Sequence, residues 1–443
     1  MTLMMPRLGH VYPTAVSAIG SVVQDAAGRE WIDGSSGAIA CSIGHGHPHV
    51  LEGIHDQLQK ASFLYRTQFA SEPALRLAER LCVKLGYDAA FFVNSGSEAV
   101  ETAVRLAQQF WREAGKPSKT QVLSRTISYH GSTAAALSLS GHWPRRRTAA
   151  ALTGTPTLPT PNCQRCPLRQ KRDECQLACA NAVEQEIERR GADNIAALLV
   201  EPIVGASAAG LVPPEGYIKR LREICDRHDI LLIADEVLTG LGRTGRWLAM
   251  DHEGVKADIV ILGKGLNAGY FPISGILASE RINGLLTRNQ ASFALGHTHS
   301  NHPVAAAAAN AVLDILEQDS LVERAATMGA YLGDRLRAMI DDMPFATHLR
   351  GKGMLWGVEL VQDDISYSPW PSELNAADTV VRHAFDLGLI VYPSSGFING
   401  TSGDAVIVAP PFNTPQAVLD TLVDRLTTAL ELASRELHRK LKG

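Results

Sequence analysis

"ADIVILGKGLNAGYFPISG", residues 257–275, sets a lysine between two glycines directly after an unbroken apolar run. Ile259 to Leu262 lacks any polar alternation, so it reads as a strand covered on both faces. Lys264 follows at a place where a charge is unwelcome. A lysine there has a partner or does chemistry, because burial lowers its pKa and frees the amine as a nucleophile able to form a Schiff base. Outward from it, "ILLIADEV" (230–237) is a second apolar run with Asp235 at its end. "IAALLVEP" (195–202) leads to Glu201, and "AAFFVN" (89–94) to Asn94. Helical patterns lie between these runs. "GYIKRLREICDRHD" (216–229), for example, puts Ile218, Leu221 and Cys225 on one face. Buried strands alternating with helices predict an α/β fold with a mainly parallel, doubly wound sheet. Ligands of such sheets sit beyond the C-terminal strand ends, where Asn94, Glu201, Asp235 and Lys264 fall.

The chain has 443 residues, 45% of them apolar, enough for a large and a small domain. A net charge of −4 advertises neither a nucleic-acid partner nor an anionic membrane. No stretch is apolar for long enough to span a bilayer, and "MTLMMPRLGHVYPTAV" lacks a signal-peptide core. Seven cysteines argue against a disulfide scaffold and for a reducing, cytoplasmic setting. We expect a large domain over residues 61–318 with a Cys-rich insert at about 161–180. A small α+β domain would combine residues 319–443 with residues 1–60. The hairpin-like "GREWIDGSSG" (28–37) carries that last assignment, since the first 60 residues offer no helix partner of their own.

Three elements converge on one chemistry. In "FFVNSGSEAVETA", Ser95, Gly96 and Ser97 precede a helix, whose free N–H groups bind anions. By itself this is an ordinary capped turn. Asp235 by itself is an ordinary strand-end acid, and Lys264 by itself a snorkelling lysine. Together they match pyridoxal 5'-phosphate, whose phosphate needs a helix start, whose ring nitrogen needs a carboxylate and whose aldehyde needs an amine. "SYHG" (128–131) offers Tyr129 as an aromatic face. "GLGRTGRW" (240–247) imitates a phosphate loop, but Arg246 and Trp247 stand where that loop needs lysine and a hydroxyl.

With these segments, "WIDGSSGAIACSIGHGHPHV", "VEPIVG", "GHTHSNHPVAAAAA" and "LRGKGMLWGVELV", the chain resembles the class III aminotransferases, fold-type I pyridoxal-phosphate-dependent enzymes. The resemblance implies roles by position. Lys264 would carry the Schiff base, and Asp235 would pair with the ring nitrogen. Val237 would pack on one ring face and Tyr129 on the other, with His130 beside it. Gly96 and Ser97, with Ser95 adjacent, would hold the phosphate. Glu201 would orient polar groups, and Thr298 would reach the neighbouring subunit's phosphate, which makes the unit a homodimer with shared sites. The implied reaction moves an amino group from an amine or amino acid to an oxo acid of the pyruvate or 2-oxoglutarate type. An aminomutase or decarboxylase of the same family, and an inactive regulatory relative, are the competing readings; the intact Lys264 and Asp235 oppose the last.

Two features depart from the pattern. Many family members place an arginine before the C-terminal Pro–Pro, where it reads a substrate carboxylate. Here "GDAVIVAPPF" (403–412) has Ala409 there, which leaves Arg66 in "LYRTQFASEPA" as a candidate. The insert "NCQRCPLRQKRDECQLACA" spaces Cys163, Cys166, Cys175 and Cys179 as a candidate structural zinc knuckle, a redox pair or plain thiols. The histidines of "GHGHPH" (His45, His47, His49) and "GHTHSNH" (His297, His299, His302) suit tight turns rather than a metal.

Overall fold

The computed structural model describes residues 3–6, 9–147, 149, 156–363 and 365–442. An N-terminal meander of β1 (Ala15–Ile19), β2 (Val22–Asp25) and β3 (Glu30–Asp33) runs antiparallel. The central strands are β4 (Ala89–Val93), β5 (Gln121–Leu123), β6 (Ile195–Val200), β7 (Leu231–Asp235), β8 (Ile259–Leu262) and β9 (Ser274–Ala278). They form one sheet in the order β4-β9-β8-β7-β6-β5. Strands β5 to β8 are mutually parallel, and β9 runs antiparallel to both β8 and β4. Strand β4 therefore points the same way as β8. Every residue of β6, β7 and β8 is buried, as the uninterrupted apolar runs predict. Helices cover both faces; Gly96–Glu113 buries Val100, Ala103, Leu106 and Phe110 along its inner stripe.

Beyond the Pro303–Gln318 and Leu321–Asp341 helices lie β10 (Ala346–Lys352), β11 (Leu355–Leu360), β12 (Leu389–Ile390), β13 (Tyr392–Ser395) and β14 (Asp404–Val408). Four of these build a second sheet, β10-β11-β14-β13, antiparallel at each pairing. Strand β12 instead joins the N-terminal meander, parallel to β3 with Leu389 opposite Ile32. Gly34, at the end of that pairing, has no room for a side chain: a Cβ would come 2.8 Å from the Ile390 carbonyl oxygen.

One expectation fails here. The first 60 residues do have a helix, Pro48–Lys60, packed against Pro303–Gln318. Proline at its first position fits a helix start, but the Gly and His residues before it read as a turn. The N-terminal stretch is thus divided, its meander on β12 and its helix on the helical layer before residue 319.

Candidate active site

Glu201 directly follows β6, Asp235 closes β7, Lys264 lies two residues past β8, and Gly96 begins its helix three residues past β4. Because those four strands share a direction, all four residues meet at one sheet edge. There they line a cavity of about 210 Å³, with Ser97, Tyr129, His130 and Val237. Eight of the sequence-predicted site residues thus face one space. Ser95 caps the helix instead, its hydroxyl accepting from Glu98 N–H at 3.3 Å. Thr298 is exposed and lies outside the cavity lining.

Asp235 is buried and fully engaged on one side. His130 Nδ1 lies 2.7 Å from its Oδ2, and its Oδ1 accepts from the Val237 N–H at 3.2 Å. Glu201 is a brace: Oε1 accepts from Tyr129 N–H at 3.0 Å and Oε2 from Gly205 N–H at 2.9 Å. Burial pushes its carboxyl above the ordinary range, partly offset by His130. Lys264 has a left-handed backbone, φ +39°, uncommon for a side-chain-bearing residue. Desolvation draws its amine down to about 8, against the opposing pull of Asp235. The amine is therefore available near neutral pH.

Glycines keep the space open. A Cβ on Gly131, whose φ is +126°, would stand 2.4 Å from Ser97 Oγ. Cβ atoms on Gly96 and Gly263 would come within 3.3 and 3.1 Å of Val237 Cγ1. The donor set suits a phosphorylated, planar, cationic-ring coenzyme: a helix start and a serine hydroxyl, a buried carboxylate, an amine, and Tyr129 and Val237 as apolar surfaces. His130 Nε2 is buried with no hydrogen-bond partner among the described residues, a polar atom left for a ligand.

Sequence reasoning missed Ile203, Ala206, Leu238, Thr239 and Ser274, which also line the cavity. It also missed Arg145, whose guanidinium lies 4.0 Å over the Tyr129 ring. Arg66 goes elsewhere, donating to the Leu295 carbonyl and packing over Phe91. Ala409 is buried, and its N–H and carbonyl bond Gly34 and Ser36.

The seven cysteines are free thiols, and among the described residues no group of three or more His, Cys, Asp or Glu stands where it could hold a metal. His45 pairs with Asp33 at 2.9 Å and His49 with Asp314 at 3.0 Å, so that histidine cluster divides between two acids. Burial raises the Cys163 thiol, and Cys179 to about 11, which keeps both protonated. Arg165 holds the insert, donating to Glu359 Oε1 at 2.5 Å and to the Tyr367 carbonyl at 2.7 Å.

Fold and site together define a fold-type I, pyridoxal-phosphate-dependent transferase. Residues 5–430 match the model for the class-III aminotransferases, and the chain belongs to that family. It is 41% identical over 440 residues to the uncharacterized aminotransferase YodT of Bacillus subtilis, covering 99% of each. It is 33% identical over 423 residues to a beta-alanine–pyruvate aminotransferase of Pseudomonas aeruginosa, covering 94% of this chain and 91% of that one. Among solved structures, an amine transaminase from an uncultivated Pseudomonas species in its PLP-bound form matches with a TM-score of 0.90 and 32% identity, over 99% and 98% of the chains. No helix among the described residues is long and apolar enough to cross a membrane.

Proposed function

We propose that this aminotransferase carries pyridoxal phosphate at the β7–β8 edge and moves an amino group from an amine or amino acid to an oxo acid of the pyruvate or 2-oxoglutarate type. The observation that carries this reading is the convergence of Lys264 and Asp235 on one cavity floored by a helix start. When bound, the coenzyme supplies an electron sink that makes the carbon–hydrogen bond beside the substrate nitrogen acidic. The chain's own residues do the rest. The N–H groups opening the Gly96–Glu113 helix and the Ser97 hydroxyl bind the phosphate. Asp235, fixed by His130 and the Val237 N–H, would pair with the ring nitrogen and favour its protonated form. Lys264 would hold the coenzyme through its Nζ, and the freed amine would carry a proton between the substrate carbon and the coenzyme carbon on the far side of the nitrogen. Glu201 fixes the backbone of Tyr129, so that ring is held rigid. Apolar walls from Ile203, Ala206 and Leu238 limit water at the reacting carbon.

Functionally the protein is a homodimer with shared sites, Thr298 serving the neighbour's phosphate, in the cytoplasm. The test is spectroscopic. Purified holoprotein mixed with single amines or amino acids should lose its coenzyme band, and pyruvate or 2-oxoglutarate should restore it. Lys264→Ala should lower turnover about 10⁴-fold, the scale of a lost proton carrier. An alanine variant that turns over normally rules the assignment out. An enzyme that releases carbon dioxide, or isomerises the amino group within one substrate without an acceptor, is a decarboxylase or aminomutase instead.

A further inference from the structure

Resting on that reading, we infer that Arg145 binds the carboxylate of the oxo-acid or amino-acid substrate. The segment that carries it is short and tightly placed. His142 donates its backbone N–H to the Ser128 carbonyl at 3.1 Å, and its ring Nε2 lies 2.7 Å from the Ser395 carbonyl on β13. These bonds clamp residues 142–146 between the strand-end loop of Tyr129 and the second sheet. The Trp143–Arg146 turn then lays the Arg145 guanidinium over the Tyr129 ring at 4.0 Å. Its terminal nitrogen donates to the Tyr392 hydroxyl at 2.9 Å.

Arg145 packs on a cavity-lining ring and, among the described residues, has no carboxylate beside it. Arg350 and Arg165 both meet Glu359, and Arg222 meets Asp258 at 2.7 Å. Arg243, fully buried, is caught by the carbonyls of Met354 and Pro410. Arg145 is part-buried, yet among the described residues no aspartate or glutamate pairs with it; its neighbours are two phenols. A desolvated cation without a counter-charge is costly unless an anion arrives. The planar fork suits a carboxylate, which it grips with two parallel hydrogen bonds. Tyr129, on which the guanidinium packs, lines the same cavity as Lys264. The strand end at Ala409 brings no cation of its own. Arg145 thus stands over the ring of the cavity-lining Tyr129 from a different segment of the chain, just outside the cavity lining itself.

The comparison that tests this uses two acceptors differing in a carboxylate. The holoenzyme is converted to its aminated form, and recovery of the coenzyme band is followed with pyruvate or with propanal. In Arg145→Met the half-saturating pyruvate concentration should rise about 10- to 100-fold, the worth of a charged hydrogen-bond pair, while propanal recovery stays within about threefold. Arg145→Lys should fall between, since a point charge replaces the fork. It carries the same comparison should methionine leave the protein insoluble. An unchanged pyruvate curve overturns the assignment. So does an equal loss with both acceptors, which would make Arg145 a brace for the Tyr129 ring. Unmodified protein that shows no spectral change with any donor overturns the aminotransferase reading itself, and the Arg145 assignment with it, before a variant is made.

Discussion

Lys264 answers two demands that conflict in water. It must be nucleophilic near neutral pH, which needs a neutral amine, and it must lie beside Asp235, which favours the charged one. Burial wins, and the amine titrates at about 8 rather than 10.5. A lowered lysine pKa means the neutral fraction grows as pH rises and is nearly complete one unit above 8. Uptake of pyridoxal phosphate by coenzyme-free protein should therefore speed up through about pH 8 and then level off. An ordinary surface lysine would keep climbing towards 10.5. Stopped-flow absorbance on the coenzyme-free enzyme reads the curve. In Arg145→Met the midpoint should move upward, because a positive neighbour that depresses it is gone. At Gly131 the constraint is steric. A methyl there meets Ser97 Oγ at 2.4 Å on a backbone with φ +126°, so either the serine or the loop must give. Gly131→Ala should weaken coenzyme retention about 10- to 100-fold by equilibrium dialysis, the strain being of the order of 1–3 kcal/mol. Retention equal to that of the parent would mean Ser97 does not hold the phosphate.

Among the elements, the second sheet carries a buried charge cluster outside the cavity lining. Glu359 on β11 takes Arg350 at 2.7 Å and Arg165 from the insert at 2.5 Å, and all three are largely shielded from water. Burial alone would raise its carboxyl; the His348 hydrogen bond and the two guanidiniums overcome that and bring it down to about 2. A depressed carboxyl contributes stability that is complete above 4.5 and drains away as pH falls towards 2. Glu359→Gln should cost about 3 kcal/mol at pH 7, the scale of a shift from 4.5 to about 2. In urea titrations the gap from the parent should close progressively below pH 4.5. A gap that stays constant with pH would mean the carboxylate charge plays no part.

These elements also mark what could be read from residues alone. Strands β6 to β8 were legible because each is an uninterrupted apolar run with a charged residue at its end or within two residues of it. That put Glu201, Asp235 and Lys264 at one edge before any coordinates. The antiparallel β9, wedged between β8 and β4, was not legible, since an apolar run carries no direction. Ser274 went unnoticed for the same reason. His130 and Asp235 are 105 residues apart, and only folding brings them to 2.7 Å. Arg145 was hidden by composition, because "WPRRR" (143–147) reads as a solvated surface turn.

For the whole molecule, one segment of the surface carries three exposed aromatic side chains within seven residues. Phe63, Tyr65 and Phe69 are 42%, 48% and 61% exposed, and Leu51 and Leu58 on the neighbouring helix are each 51% exposed. Scattered exposed side chains need no explanation, but a run of aromatics in one segment marks a contact surface. The loop bearing Thr298 belongs to the same patch, for the Phe63 ring sits 5.6 Å from His299, edge on. If this face joins two copies, Thr298 meets the partner and cannot serve its own cavity, whose lining it does not enter. Sedimentation should then give twice the 47.7 kDa chain mass. Replacing Tyr65 and Phe69 by aspartate should yield monomers that release pyridoxal phosphate although Lys264, Asp235 and Ser97 are untouched. Thr298→Ala should remain dimeric and hold the coenzyme about 10- to 100-fold more weakly, the worth of one hydrogen bond to a charged group. Monomers that keep the coenzyme and full turnover would show that each chain completes its own site, and Thr298 would then be a surface residue of a loop.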